Sequence, residues 1–294
     1  VEYKIHQYRY DNFSKFEAII RSAMEELGHT ETSDLSADVH IYNHCLLNEI
    51  STQDKINIIF KPTAPSADYF ALDTIGYAGA SELAFEEPVE VGAVDFTDAW
   101  SIVDKLKKDK ANKWDDSILL KWRKGKRTKS DHILVIGQMP DDETVTNFSF
   151  GDHTKKLESI CRTLKDERNV VLKLHPRYKP TKEFIKRIKS YNVEIIDGFI
   201  SIHDILPHTK VAIIENSTAG IECMMHDVPI ISYGYPEYHW VTKKLQSLTQ
   251  LPYLVKDTHW YDSGYAINFV CWYINHYLCR DINTTRNRLR DFEL

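Results

Sequence analysis

Val211-Ala212-Ile213-Ile214-Glu215-Asn216-Ser217-Thr218-Ala219-Gly220-Ile221-Glu222 runs from a β-branched apolar stretch, through a short polar turn, into a helix start. Strand, turn and helix in that order form the unit of an open α/β sheet. The turn presents backbone N–H groups and the positive end of a helix dipole. The same alternation continues around it. From Asp131 onward strands are expected at His132 to Gly137, Val170 to Leu174, Val193 to Ile196, Val211 to Ile214 and Val228 to Tyr233. Helices are expected over Leu157 to Leu164, Phe184 to Ile188 and Ile221 to Met225. Apolar strands separated by helices predict a parallel sheet covered on both faces.

Toward the N-terminus the pattern is interrupted by Lys121, Arg123, Lys124, Lys126, Arg127 and Lys129, a basic run with no acid in it. It reads first as a solvated linker and second as a peripheral docking patch for an anionic membrane or an acidic glycan. Before it, Tyr3 to Tyr8 is extended, and Phe13, Phe16, Ile19, Ile20, Ala23 and Leu27 recur at helical spacing until Gly28. Asp38 to Tyr42 and Asn57 to Phe60 read as strands of one sheet. Lys61 to Pro88, with Pro62, Pro65, Gly76 and Gly79, is loop-like, a place where function tends to sit. Near the other end Ile267, Val270, Cys271, Ile274 and Leu278 form one apolar helical stripe, long enough to pack across the other domain. The division is therefore residues 1–120, a basic linker at 121–131, and a second domain at 132–294.

A chain of 294 residues, 43% hydrophobic, suits two modest domains and excludes disorder. Its net charge of −6 argues against nucleic acid as a partner. The five cysteines, scattered and without a CxxC pair, argue against a disulfide framework and a structural zinc, and point to a reducing, cytoplasmic setting. No apolar run approaches the ~20 residues of a membrane span.

The turn after Ile214 is one half of a candidate anion site. Ser217 and Thr218 add hydroxyl donors, Gly220 leaves room for a ligand at the first helical turn, and Glu222 is placed to accept both hydroxyls of a ribose. A helix cap by Asn216 or Ser217, with nothing bound, is the commoner role of such a turn. The other half is Lys173-Leu174-His175-Pro176-Arg177, three potential cations outside the carboxyl end of a strand, where ligands bind in open α/β sheets. Alternation puts Lys173 and His175 on one side, and Pro176 ends the ladder. A buried structural histidine is the alternative.

The runs Val170 to Arg177, Glu215 to Glu222 and Val228 to Gly234, with Ile133 to Asp142, resemble the bacterial capsule-polysaccharide glycosyltransferases, notably their Kdo transferases. The resemblance implies two Rossmann-like domains of the GT-B kind, with a cleft between them and a C-terminal helix packing across. It implies a nucleotide-sugar donor whose phosphate is held by His175, Ser217 and Thr218; Gln138, Lys173, Arg177, Asn216, Gly220, Glu222 and Tyr233 are the further donor-binding candidates of this sequence. It also implies a glycan acceptor and no further cofactor. The resemblance suggests CMP-Kdo as the expected donor, with a UDP-sugar such as UDP-xylose or a UDP-hexose as the other choice.

Glycosyl transfer needs a carboxylate as general base or nucleophile. Asp73, at the end of an apolar run before a glycine-bearing turn, ranks first as base, and Asp141 or Asp142 ranks next as nucleophile or donor-positioning group. Glu82 is a further choice, and turn chemistry is the bland alternative for each. Metal ligation has no supporting spacing, so Lys173, His175 and Arg177 are expected to neutralise the leaving phosphate. Two rivals stand beside transfer: a nucleotide-sugar 2-epimerase of the same fold, and a non-catalytic nucleotide-sugar or glycan-binding module.

Overall fold

In the computed structural model, residues 1–6, 13–50, 52, 54–88, 91, 96–113 and 131–294 are described. The basic run Lys121 to Lys129 lies outside them. The strands are β1 (Glu2–His6), β2 (Thr30–Glu31), β3 (Val39–Asn43), β4 (Ile56–Pro62), β5 (Phe70–Asp73), β6 (His132–Ile136), β7 (Val170–Lys173), β8 (Glu194–Ile196), β9 (Thr209–Ile214), β10 (Ile230–Ser232), β11 (Lys243–Lys244) and β12 (Leu278–Cys279). The helices are α1 (Ser14–Glu26), α2 (Glu82–Phe85), α3 (Phe96–Lys108), α4 (Glu143–Phe148), α5 (His153–Thr163), α6 (Lys182–Ser190), α7 (Ile202–Ile205), α8 (Ala219–Met225), α9 (Leu251–Lys256), α10 (Ser263–Trp272) and α11 (Ile282–Asp291).

Two sheets result. The second, in the order β11-β10-β9-β6-β7-β8, is parallel throughout, as the strand–helix alternation predicts. Both of its faces are buried, and alternation assigns them. Leu134, Ile136, Ala212 and Ile214 enter one core, while Ile133, Val135, Val211 and Ile213 enter the other. The first sheet, in the order β12-β5-β4-β3-β1-β2, is mixed, because β5 runs antiparallel to both β4 and β12. The architecture is α/β with two Rossmann-like sheets and a cleft between them.

The C-terminal stripe crosses between the sheets. Helix α10 packs on α3 and α8 and continues as a π-helical turn over Tyr273–Tyr277. The chain then returns to the first sheet, where β12 pairs with β5 and α11 packs on α1. Leu278, read as the end of the stripe, is thus already a strand residue. Conversely, Ala99, Val103 and Leu106 of α3 share a core with Leu134 and Ile136 of the second sheet. Chain order and sheet membership therefore part at both ends of the expected second domain: α3 joins it from before 132, and residues after 277 leave it.

Candidate active site

The carboxyl ends of β6, β7 and β9 open on the same edge of the second sheet. At the end of β7, Lys173 is 8% exposed and its Nζ donates to the Gly198 carbonyl at 2.7 Å. Burial pulls its pKa down to about 8. A Cβ on Gly198 would lie 2.5 Å from the Pro176 nitrogen, so glycine is what lets the His175-Pro176 turn press against that loop. His175 Nδ1 accepts the Arg177 N–H at 3.2 Å, which puts the ring proton on Nε2. Burial, then the charge of Lys113, takes the His175 pKa to about 4. The expected cation is therefore a neutral N–H donor at neutral pH, and Arg177 beside it is exposed.

At the β9 turn the expected donor-binding residues divide. Gln138 and Asn216 are spent on each other: Gln138 Nε2 donates to Asn216 Oδ1 at 2.8 Å, and the Asn216 N–H returns to Gln138 Oε1 at 3.0 Å. They tie the β6 and β9 ends together and are buried at 6% and 4% exposure. Glu215 beneath them accepts from His153, Lys156 and Ser149. Gly220 makes room for protein, not ligand, since a Cβ there would lie 2.5 Å from Tyr238 Cε2; the Tyr238 hydroxyl donates to the Ser217 carbonyl. Tyr233 points the wrong way. It packs on the opposite core, its buried hydroxyl near Glu215 and Cys161. Ser217 and Thr218 stay half-buried at the turn. Glu222, 6% exposed, keeps one carboxylate oxygen buried without a hydrogen-bond partner. Burial raises its pKa to about 7 against the charges of Lys113 and Lys173.

The carboxylates divide as well. Asp73, expected as the general base, is 1% exposed and filled with donors. Its Oδ1 accepts the N–H groups of Ile75 at 2.8 Å and Gly76 at 2.9 Å, and its Oδ2 accepts the N–H of Glu82 at 2.8 Å and the Tyr277 hydroxyl at 3.0 Å. Enclosed in this way it orders the loop and has no lone pair to offer an acceptor. Glu82 is likewise occupied, by Thr74 and by Arg288 at 2.8 Å. Asp141 is exposed. Asp142 caps α4, accepting the Thr144 N–H at 2.8 Å. Asp142 is exposed too; the desolvation it has works against its ionisation, but Thr144 and then the charges of Lys61 and Lys113 hold its carboxyl below the usual range.

Three further residues join this cluster. Lys61 lies one residue before the end of β4 in the first sheet, with its Nζ 4.0 Å from the Tyr77 ring centroid. Burial lowers its pKa to about 8, and Lys113 adds to that. Lys113, shortly after α3, is lowered by burial and faces Asp142, Glu222 and Glu237. Glu237, 7% exposed, accepts the Tyr273 hydroxyl at 2.6 Å, and burial raises its pKa. Lys61 carries a signal that sequence reading passed over: a cation at the carboxyl end of a strand, just before a proline-bearing loop, as at Lys173. Glu237 carries none. Among the described residues no group of three or more His, Cys, Asp or Glu could hold a metal ion, and no helix is long and apolar enough to cross a membrane.

Comparison with known proteins agrees with this architecture. No curated protein sequence matches the chain. The structure of KpsC from Thermosulfurimonas dismutans, a beta Kdo 2,7 transferase, superposes with a TM-score of 0.61 over 100% of both chains at 13% identity. The beta Kdo 2,4 transferase of the same organism's KpsC superposes with a TM-score of 0.59 over 94% of this chain and 91% of that one, at 10% identity. At such identities the likeness is one of fold. The sequence profile of the capsule polysaccharide biosynthesis proteins matches residues 99–246, half of the chain, and covers most of α3 and all strands of the second sheet. The chain belongs to the capsule polysaccharide biosynthesis protein family.

Proposed function

We propose that the protein is a glycosyltransferase of polysaccharide synthesis that moves a sugar from a nucleotide-sugar donor, CMP-Kdo or a UDP-sugar such as UDP-xylose or a UDP-hexose, to a glycan acceptor. One observation carries this reading: at the strand-end edge of the second sheet the charges of Lys61 and Lys113 both act on Asp142, and that of Lys113 acts also on His175 and Glu222. Lysines whose charge is opposed by burial and by one another suit a bound anion. The Nε2–H of His175, the Arg177 guanidinium and the hydroxyls of Ser217 and Thr218 supply directed donors for a phosphate. The unpartnered oxygen of Glu222 suits a ribose hydroxyl.

Asp142 is the carboxylate placed for chemistry, held ionised at the mouth of the cleft. Its oxygen bonds to the anomeric carbon as the bond from that carbon to the phosphate oxygen breaks, and the electron pair leaves with the nucleotide. An acceptor hydroxyl then displaces the carboxylate and passes its proton to Glu237, so that two displacements retain configuration. Neutralisation of the leaving phosphate falls to the lysines, and turnover is expected to persist in EDTA.

Incubation with CMP-Kdo, UDP-xylose and UDP-glucose, with and without acceptor glycan, tests this. Transfer requires acceptor, a 2-epimerase converts donor without it, and a binding module only shifts the melting temperature. Asp142→Asn is expected to lower turnover by ~10³ or more with nucleotide affinity kept. His175→Ala is expected to weaken nucleotide binding by ~1.5–3 kcal/mol. Full turnover in the first variant and full affinity in the second would sink the assignment.

A further inference from the structure

Charge is unevenly spread over the molecule. The whole chain carries 37 Lys and Arg against 43 Asp and Glu, yet residues 151–192, which build α5, β7 and α6, carry 12 against 5. Both helices lie on one face of the second sheet: Leu157, Ile160 and Leu164 of α5 and Phe184 and Ile188 of α6 enter the core that Leu251 and Val255 of α9 also enter. Helix α5 packs on α6 and on the turn Leu248–Gln250 that leads into α9. The three helices therefore form one layer, and its outer surface carries the excess charge. Lys155, Arg162, Lys182, Lys186 and Lys189 are exposed there and make no ion pair among the described residues. Two of the five acids are already taken, Glu158 by Arg187 at 3.0 Å and Glu167 by Lys256 at 2.9 Å.

Helix stability does not explain these cations. Lys155 and Lys182 stand in the first turns of α5 and α6, where the helix dipole opposes a positive charge, and like charges on adjacent helices repel one another. The same layer bears the two most exposed large apolar side chains among the described residues: Phe150, 98% exposed in the turn that leads into α5, and Tyr253, 76% exposed on α9. Leu251 and Val255 of α9 point into the core, so Tyr253 between them points outward. A soluble polyanion would engage the cations and leave these rings in water. A bilayer surface engages both, the cations at its headgroups and the rings at its interface. We infer that the outer face of α5, α6 and α9 docks on an anionic phospholipid surface. Helix α5 follows β6 and so begins at the carboxyl edge of the second sheet, the edge on which the cleft opens. Docking by this face therefore keeps the mouth of the cleft near the headgroups, whichever sugar is transferred there.

Flotation of the full chain with lipid vesicles tests the docking. Vesicles of phosphatidylcholine with about a third phosphatidylglycerol are expected to carry the protein at physiological salt, about 0.15 M, and to release it as salt is raised; vesicles of phosphatidylcholine alone should leave it free. K182Q/K186Q is expected to lower the partition constant by ~10-fold or more. K105Q/K108Q removes the same charge from exposed lysines of α3, whose Ala99, Val103 and Leu106 pack into the core on the opposite face of the second sheet, and should leave the constant in place. F150S/Y253S should lower it as well, with retention on heparin unchanged. All six side chains are exposed, so the variants keep the fold, which circular dichroism checks. No preference for the anionic vesicles overturns the inference, and so does an equal loss from the two lysine pairs, the mark of diffuse attraction. Vesicle binding unchanged in F150S/Y253S overturns it too and, where heparin is bound as tightly, assigns the face to an acidic polymer instead.

Discussion

Glu222 and Asp73 are both buried carboxyls with raised pKa values, and their surroundings give them opposite roles. Glu222 has an oxygen without a partner, and burial takes its pKa from 4.5 to about 7. The folded value lies above the unfolded one, so its contribution to stability is fully present below pH 4.5 and is lost as pH rises through about 7. Glu222→Gln removes the ionisation. It should therefore be more stable than the parent at pH 8, by on the order of 1–3 kcal/mol, with the gap closing below pH 4.5, while ribonucleotide affinity falls. Urea unfolding at the two pH values, with and without CMP or UDP, measures both effects, and a variant less stable at pH 8 would refute the assignment. Asp73 has four donors instead. Asp73→Asn turns an NH2 toward one of them, and a loss of ~2–4 kcal/mol is expected, with turnover falling only as the fold is lost. A catalytic defect at unchanged stability would restore Asp73 as the base.

At the scale of elements, the second sheet was legible because its signals are local: β-branched runs at β6, β7 and β9, and apolar positions at helical spacing in α5 and α6. The candidate edge followed from the rule that ligands meet carboxyl strand ends. What stayed hidden was pairing at long range. Nothing near Gly220 announces that Tyr238 will fill its space, and nothing near Gln138 announces Asn216. Asp73 looked projecting because its strand ends there, but Tyr277, which covers it, lies 204 residues away in sequence. The Gly220 case can be measured. Gly220→Ala forces the Tyr238 ring off the Ser217 carbonyl, and overpacking of this kind costs ~1–3 kcal/mol. Because the displaced bond anchors the turn that bears Ser217 and Thr218, nucleotide affinity should drop with it. Tyr238→Leu in the same chain should relieve the clash and recover part of the stability; no recovery would mean that the close approach is not what selects glycine.

At the scale of the molecule, the two sheets do not make two independent folding units. Helix α3 precedes the second sheet in sequence but shares its core, and α10 packs on α3 and α8 before the chain returns to β12 and α11 on the first sheet. Polar contacts sew the same seam: Trp240 donates to the Leu83 carbonyl at 2.8 Å, and the Tyr273 hydroxyl donates to Glu237 at 2.6 Å and approaches the Thr63 hydroxyl at 3.5 Å. A core shared in this way cannot open on one side without exposing apolar surface on the other, so one cooperative unfolding transition is expected, with far-UV circular dichroism and tryptophan fluorescence coinciding. A nucleotide bound between Lys61 on one sheet and His175 on the other should raise the single midpoint. At ~100 times its dissociation constant the gain is ~2.7 kcal/mol. Lys61→Gln and His175→Ala, in opposite walls of the cleft, should each reduce that gain at a fixed nucleotide concentration without splitting the transition. Two separated transitions, with nucleotide moving only the second, would show instead that the donor is held by the second sheet alone and that the sheets fold apart.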